Sequence, residues 1–232
     1  MGIDLICLDA DDTLWHNMRH FNATEQALTA MLEPFVDAGI AHETLAACEI
    51  HNLALYGYGA KAFTLSMIET ALELGGDDLP ASVVRDILEA GKALHAHPVE
   101  LFDGVADTLA ALAARARLVL VTKGDLIHQE SKLAASGLGD HFSGIEIVSD
   151  KKPGTFTAIF ERHAVCAEAA LMAGDSMRSD ILPALSAGAY AAFIPQPGAW
   201  SHEQATPPEA SDRFRELPSL AALVGWVDEI GA

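Results

Sequence analysis

Apolar residues along this chain follow two rhythms. Five short runs, residues 3–9, 118–122, 145–149, 170–174 and 189–194, read as strands, and most are nearly all apolar, which is the pattern of parallel strands covered on both faces. Between the later runs the apolar positions recur at helical spacing. Val105, Leu109 and Leu112 mark one helix face. A second stretch begins at Leu126, carries Lys132 and Leu133, and stops at Gly137. Residues 157–163 follow Pro153 and Gly154, and residues 181–187 close at Gly188. A glycine just past the last turn is a common helix stop. This alternation predicts an α/β fold with a Rossmann-like, doubly wound parallel sheet.

Residues 16–97 break the alternation, because they contain no convincing strand. Asn22 and Glu25 are spaced as a capping box, and Ala27, Leu28, Met31, Leu32 and Phe35 follow at helical spacing. Residues 45–56 read as a second helix. Phe63, Met67, Ala71 and Leu74 mark a third, and Val83, Ile87, Ala90 and Leu94 a fourth. The expectation is a core made of residues 1–15 and 98–232, with an all-α domain inserted at 16–97. Residues 195–216, rich in Pro, Glu and Ala, read as a long loop, and residues 217–229 as a closing helix.

Composition narrows the partners. The chain has 232 residues, half of them hydrophobic, which suits a globular protein. Lys and Arg number 14 against 33 Asp and Glu, a formal net charge of -19. So acidic a surface repels nucleic acid and anionic membranes. A small phosphorylated substrate stays compatible, since a bound metal and a few lysines reverse the field locally. Cys7, Cys48 and Cys166 lack metal-ligand spacing, and their odd number suggests free thiols in a reducing compartment. The first apolar run ends at Asp9, too short for a signal or a span. The expectation is a soluble, cytoplasmic protein of unspecified oligomeric state.

Chemistry concentrates where strands end. Leu8-Asp9-Ala10-Asp11-Asp12-Thr13-Leu14 follows the first strand, and open α/β sheets bind ligands beyond the carboxyl ends of their strands. Gly174-Asp175-Ser176-Met177-Arg178-Ser179-Asp180 follows the fourth. Thr122 ends the second strand, and Lys152 stands in Lys151-Lys152-Pro153. Each has an ordinary explanation alone: acids favour caps and turns, Thr favours strands, and loop lysines are usually solvated. Together, Asp9, Asp175 and Asp180 form an oxygen-rich set suited to Mg²⁺.

The order Asp-x-Asp, Thr, Lys-Pro, then Gly-Asp with a second Asp downstream resembles the four motifs of the haloacid dehalogenase superfamily. The resemblance covers essentially the whole chain, and the helical insert looks like that superfamily's C1 cap. It implies a Mg²⁺-dependent phosphatase that works through an aspartyl-phosphate. In that reading Asp9 is the nucleophile and Asp11 the general acid and base. Thr122 and Lys152 hold the phosphoryl oxygens, helped by Ala10, Lys123 and Gly124. Asp9, Asp175, Asp180 and the Asp11 carbonyl serve the metal. Two departures stand out: Asp12 occupies a place usually held by Gly, and Lys123 one where Asn is commoner.

In the insert, Tyr56-Gly57-Tyr58-Gly59-Ala60-Lys61 joins two helices. Its glycines permit close backbone approach, and a cation at a helix start gains nothing from the dipole. Tyr58 and Lys61 are therefore candidate substrate contacts. The rival readings are a 2-haloacid dehalogenase, a phosphomutase and a non-catalytic binding protein. Dehalogenation needs neither metal nor a leaving-group acid, and dehalogenases resembling this chain carry an aromatic residue where Asp11 stands.

Overall fold

The computed structural model describes residues 2–209 and 211–232. Met1, and Ala210 within the expected 195–216 loop, lie outside the described residues. The rest divides into two compact units: the N-terminal segment to Met18 with Val99–Ala232, and Arg19–Pro98.

The first unit holds a parallel sheet of six strands: β1 (Leu5–Leu8), β2 (Arg117–Lys123), β3 (Gly144–Val148), β4 (Ala170–Gly174), β5 (Tyr190–Phe193) and β6 (Phe214–Glu216). Their order is β3-β2-β1-β4-β5-β6. The chain thus runs outward from β1 in one direction through β2 and β3, and in the other through β4, β5 and β6. The switch point lies between β1 and β4, where Leu8 pairs with Ala173. Asp9, the next residue, donates its N–H to the Ala173 carbonyl (3.0 Å).

Successive strand residues point to opposite faces, and the two cores follow that parity. Ile6, Leu8, Leu118, Leu120, Leu171 and Ala173 pack on one side. There they meet α5 (Val105–Ala113) and α9 (Ala222–Gly231) through Leu109, Leu112, Leu223 and Trp226. Leu5, Cys7, Val119, Val121, Ala170 and Met172 face the other way, against Phe156, Ile159 and Phe160 of α7 (Pro153–Arg162). A strand so enclosed tolerates no polar alternation, which is why these strands read as continuous apolar runs.

The second unit packs α1 (Met18–Leu32), α2 (Ala38–Tyr56), α3 (Ala60–Gly75) and α4 (Ala81–His95) around Leu28, Leu32, Leu45, Phe63, Met67, Ile87 and Leu94. The fold is therefore a Rossmann-like α/β core with a helical cap. Among the described residues no helix is long and apolar enough to cross a membrane.

Three elements differ from the sequence reading. Helix α1 starts at Met18, a turn before the expected Asn22–Glu25 box. The Asp12 carboxylate supplies its cap instead, accepting the N–H groups of Asn17 (2.9 Å) and Met18 (2.8 Å). The expected loop 195–216 ends in β6, a three-residue edge strand too short to show a pattern. The last helix begins at Ala222 rather than residue 217.

Candidate active site

The first strand ends, and the chain must turn. Asp12 takes a left-handed backbone, φ 58°, which Asp reaches at less cost than most residues. This turn keeps Asp9 at the sheet edge, at the switch point. Across from it, β4 ends at Gly174. A Cβ there would stand 2.1 Å from Asp180 Oδ2, so only glycine lets Asp180 fold back against the strand. Asp180 is fully buried, and its Oδ2 accepts the Ser176 N–H (3.0 Å).

These turns bring the Asp9, Asp175 and Asp180 carboxylates together, with one oxygen of each within 4.8 Å of the others. One cation serves them. Lys151 Nζ, with its side chain 1% exposed, donates to Asp9 Oδ1 (2.5 Å) and Asp180 Oδ1 (2.6 Å). Burial opposes its charge, but Asp180 and Asp9 more than compensate, so Lys151 stays an ammonium well above the usual lysine range. One ammonium does not balance three carboxylates, two of them buried and Asp175 half-buried. Burial pushes Asp9 up to about 7, with Lys151 pulling against it and Asp180 adding repulsion. Burial, then Asp9, Asp180 and Asp12, raises Asp175 well above the carboxylate range. An all-oxygen set with surplus negative charge fits a hard divalent cation such as Mg²⁺.

Lys152 takes no part in this. Its side chain is 73% exposed and its Nζ lies 3.1 Å from Asp150. The sequence reading that assigned it to the site is corrected in favour of its neighbour, and the reason is local. Proline biases the preceding residue toward extended backbone. Lys152, at φ -115° and ψ 164°, is the cap residue of α7, with Pro153 in the first helical turn. Lys152 faces solvent, and Lys151, one residue earlier, faces the carboxylates.

Asp11 belongs to a second cluster. Its Oδ1 accepts from Lys132 Nζ (2.5 Å) and Trp15 Nε1 (2.7 Å), and its Oδ2 from Gln129 Nε2 (3.1 Å). Its carboxylate does not join the acidic triad. Burial resists its ionisation, but Lys132, then Trp15 and Gln129, outweigh it and hold Asp11 below the usual range. Gln129 Nε2 also donates to Thr122 Oγ1 (2.6 Å) and to the Lys123 carbonyl (2.9 Å). The Thr122 hydroxyl in turn donates to the Lys123 carbonyl (3.4 Å), a long bond that a phosphoryl oxygen would replace.

Lys123 carries an expectation that the structure changes. It occupies a position suggesting a cation for the phosphate, yet its Nζ donates to Glu203 (2.6 Å) and Ser179 (2.8 Å). Glu203 also accepts from the Ser176 and Ser179 hydroxyls (2.5 Å each). Burial works against its charge, but Lys123 and the two serines keep its pKa at about 2. Ala10 is buried in the turn after Asp9, where its carbonyl accepts from Leu14 N–H (2.8 Å). Gly124, at φ 129°, carries the chain from β2 toward α6 (Leu126–Ser136). Tyr58, half-buried, and Lys61, exposed, lie in the other unit, at the α2–α3 junction.

Sequence reasoning missed Trp15, Gln129, Lys132 and Lys151. One signal was available for two of them. Gln129 and Lys132 are buried beside Leu133 on α6, and a polar pair one turn apart on an apolar face calls for a partner.

A parallel sheet with an acidic site at its switch point and a helical insert after β1 defines a class of hydrolase. The model of the haloacid dehalogenase-like hydrolases matches residues 3–188, and the chain belongs to that family. It is 37% identical to a haloacid dehalogenase-like family hydrolase from Xanthomonas campestris, over 99% of this chain and 98% of that one, with a TM-score of 0.87. A 2-haloacid dehalogenase from Pseudomonas syringae pv. tomato DC3000 is 24% identical over 98% and 99%, TM-score 0.63. A predicted phosphoglycolate phosphatase from Haemophilus somnus 129PT is 19% identical over 97% and 98%, TM-score 0.64. No curated protein matches the chain. The family makes this protein a hydrolase, and its neighbours include both dehalogenase and phosphatase.

Proposed function

We propose that this hydrolase is a Mg²⁺-dependent phosphatase acting on a small phosphorylated metabolite. The observation that carries the reading is Asp11, a second carboxylate two residues after Asp9 and held apart from the acidic triad. Displacing halide from carbon uses a nucleophile alone. Displacing an alkoxide from phosphorus also requires a proton for the leaving oxygen.

In this reading an Asp9 carboxylate oxygen attacks phosphorus, and the bond from phosphorus to the ester oxygen breaks. Asp11, which rests ionised beside Lys132, relays to that oxygen a proton taken from the singly protonated ester. Water then attacks phosphorus and passes a proton to Asp11, and the bond to Asp9 breaks, releasing phosphate. Lys151 orients Asp9 and offers positive charge to the phosphoryl oxygens. The Thr122 hydroxyl donates to a second oxygen, and the N–H groups around Ala10, Lys123 and Gly124 would meet the rest. Asp9, Asp175, Asp180 and the Asp11 carbonyl would hold the cation. When bound, Mg²⁺ would offset the charge that builds as two anions approach.

The test is a turnover screen of purified protein against phosphorylated metabolites and p-nitrophenyl phosphate, with Mg²⁺ and with chelator. Phosphate release that depends on metal is expected. Release that survives rigorous metal removal would overturn the mechanism, and halide release from 2-chloropropionate at a comparable rate would favour the dehalogenase instead.

A further inference from the structure

We propose that Lys132 is the positioning residue of Asp11: it fixes the direction in which that carboxylate meets the leaving group. This deepens the phosphatase reading and rests on it.

The geometry is specific. Lys132 is 4% exposed, and its Nζ lies 2.5 Å from Asp11 Oδ1 and 3.3 Å from Asn17 Oδ1. Burying an ammonium costs several kcal/mol, and an apolar side chain would avoid that cost. Helix α6 packs through Leu133 and does not need a lysine for that. What the lysine contributes is a third fixed direction on one carboxylate. Trp15, fully buried, grips the same oxygen from the loop, and Gln129, one turn before Lys132, grips the other. The orientation of the Gln129 amide is dictated by chemistry. The Asp11 carboxylate and the Lys123 carbonyl only accept, so the NH₂ side must face both. Through that amide, Asp11 and the Thr122 hydroxyl share one partner. Helix α6 thus sets the proton-transfer group and a phosphoryl-binding group in one frame. Proton transfer requires hydrogen-bond reach, and a small misplacement costs rate steeply.

The experiment compares Lys132→Met, Lys132→Arg and Lys132→Gln with the natural protein, all with Mg²⁺. Two esters are used: p-nitrophenyl phosphate, whose leaving group needs little protonation, and glycerol 2-phosphate, whose alkoxide needs much. Lys132→Met should lower kcat on the alkyl ester about tenfold to a hundredfold, but on the aryl ester less than about threefold, with KM nearly unchanged. Lys132→Arg should recover part of the alkyl-ester loss. Equal losses on both esters would give Lys132 a purely structural role and overturn the proposal, as would no loss on either. Should Lys132→Met not fold, Lys132→Gln carries the same test. A crystal structure of Lys132→Met separates this inference from the reading beneath it. An Asp11 side chain still seated on Trp15 and Gln129 overturns the positioning role whatever the turnover, and a displaced one upholds it. If the natural protein turns over neither ester, the phosphatase reading fails, and the crystal structure alone decides what holds Asp11.

Discussion

Two buried lysines stand beside two aspartates of one loop, Asp9 and Asp11, and their settings differ. Lys151 faces Asp9, Asp175 and Asp180, and bonds the first and last of these. Lys132 faces the Asp11 carboxylate and the neutral Asn17 amide, and the neutral donors Trp15 and Gln129 complete that carboxylate's hydrogen bonds. The first cluster carries more negative charge than its lysine offsets, so burial and mutual repulsion raise Asp9 and Asp175. The second is balanced, and Asp11 is held low. The lesson is that a site's incompleteness can be read from its charge balance. A cluster with surplus charge is finished by a ligand, whereas a balanced one is already fixed and serves geometry.

The sharpest way to break this comparison is to remove the charge from the unbalanced side. Lys151→Met leaves three carboxylates with no cation and Asp9 without its orienting partner. It should lower kcat on p-nitrophenyl phosphate by on the order of a thousandfold or more. Lys152→Met, one residue away and solvated, should stay within about threefold of the natural protein. Steady-state kinetics on the two purified variants decides this. The reverse ranking would restore Lys152 to the site and undo the assignment of Lys151.

That pair also shows how far the sequence could be read. The strands were legible because a strand enclosed on both faces must be apolar throughout. Asp9, Thr122, Asp175 and Asp180 were legible because the sheet topology sends every strand end to one edge. Choosing between Lys151 and Lys152 needed the backbone angle that Pro153 favours before it, which motif spacing does not carry. Lys132 and Gln129 were hidden for a different reason. Their shared partner lies far along the chain, Asp11 being 121 residues from Lys132 and 118 from Gln129. β6 was missed because three residues are too few to show a period.

A third lysine, Lys123, sharpens the comparison, because it is balanced by Glu203. If the pair is structural, its loss should appear in stability, with a pH signature. Glu203 has a folded pKa of about 2, below the ordinary glutamate value of 4.5. A depressed carboxylate pKa contributes stability above the unfolded value, and that contribution is lost as pH falls through the folded one. Glu203→Gln should therefore cost roughly 2–3 kcal/mol at pH 7. The difference from the natural protein should shrink between about pH 4.5 and pH 2. Urea titrations across that range measure it. A cost independent of pH would mean that shape, not charge, fixes the Ser201–Glu203 turn.

The smallest effect is expected at the candidate residues of the cap. Gly57 and Gly59 take φ values of 72° and 110°, a backbone that favours glycine, so the α2–α3 junction is a shaped turn. Tyr58 lies between them, half-buried, and Lys61 stands exposed in the first turn of α3. A cation there gains nothing from the helix dipole. If substrate reaches this junction, the aromatic ring meets its organic part and the ammonium a second anionic group. Tyr58→Ala and Lys61→Ala should then raise KM for the best substrate of the metabolite screen by about threefold to tenfold, as exposed charge pairs and single ring contacts are worth roughly 1 kcal/mol. Neither should change turnover of p-nitrophenyl phosphate, which offers no second anion. Equal losses on both substrates would move these residues from specificity to stability, and no change on either would leave the junction a plain connector whose glycines serve the turn alone.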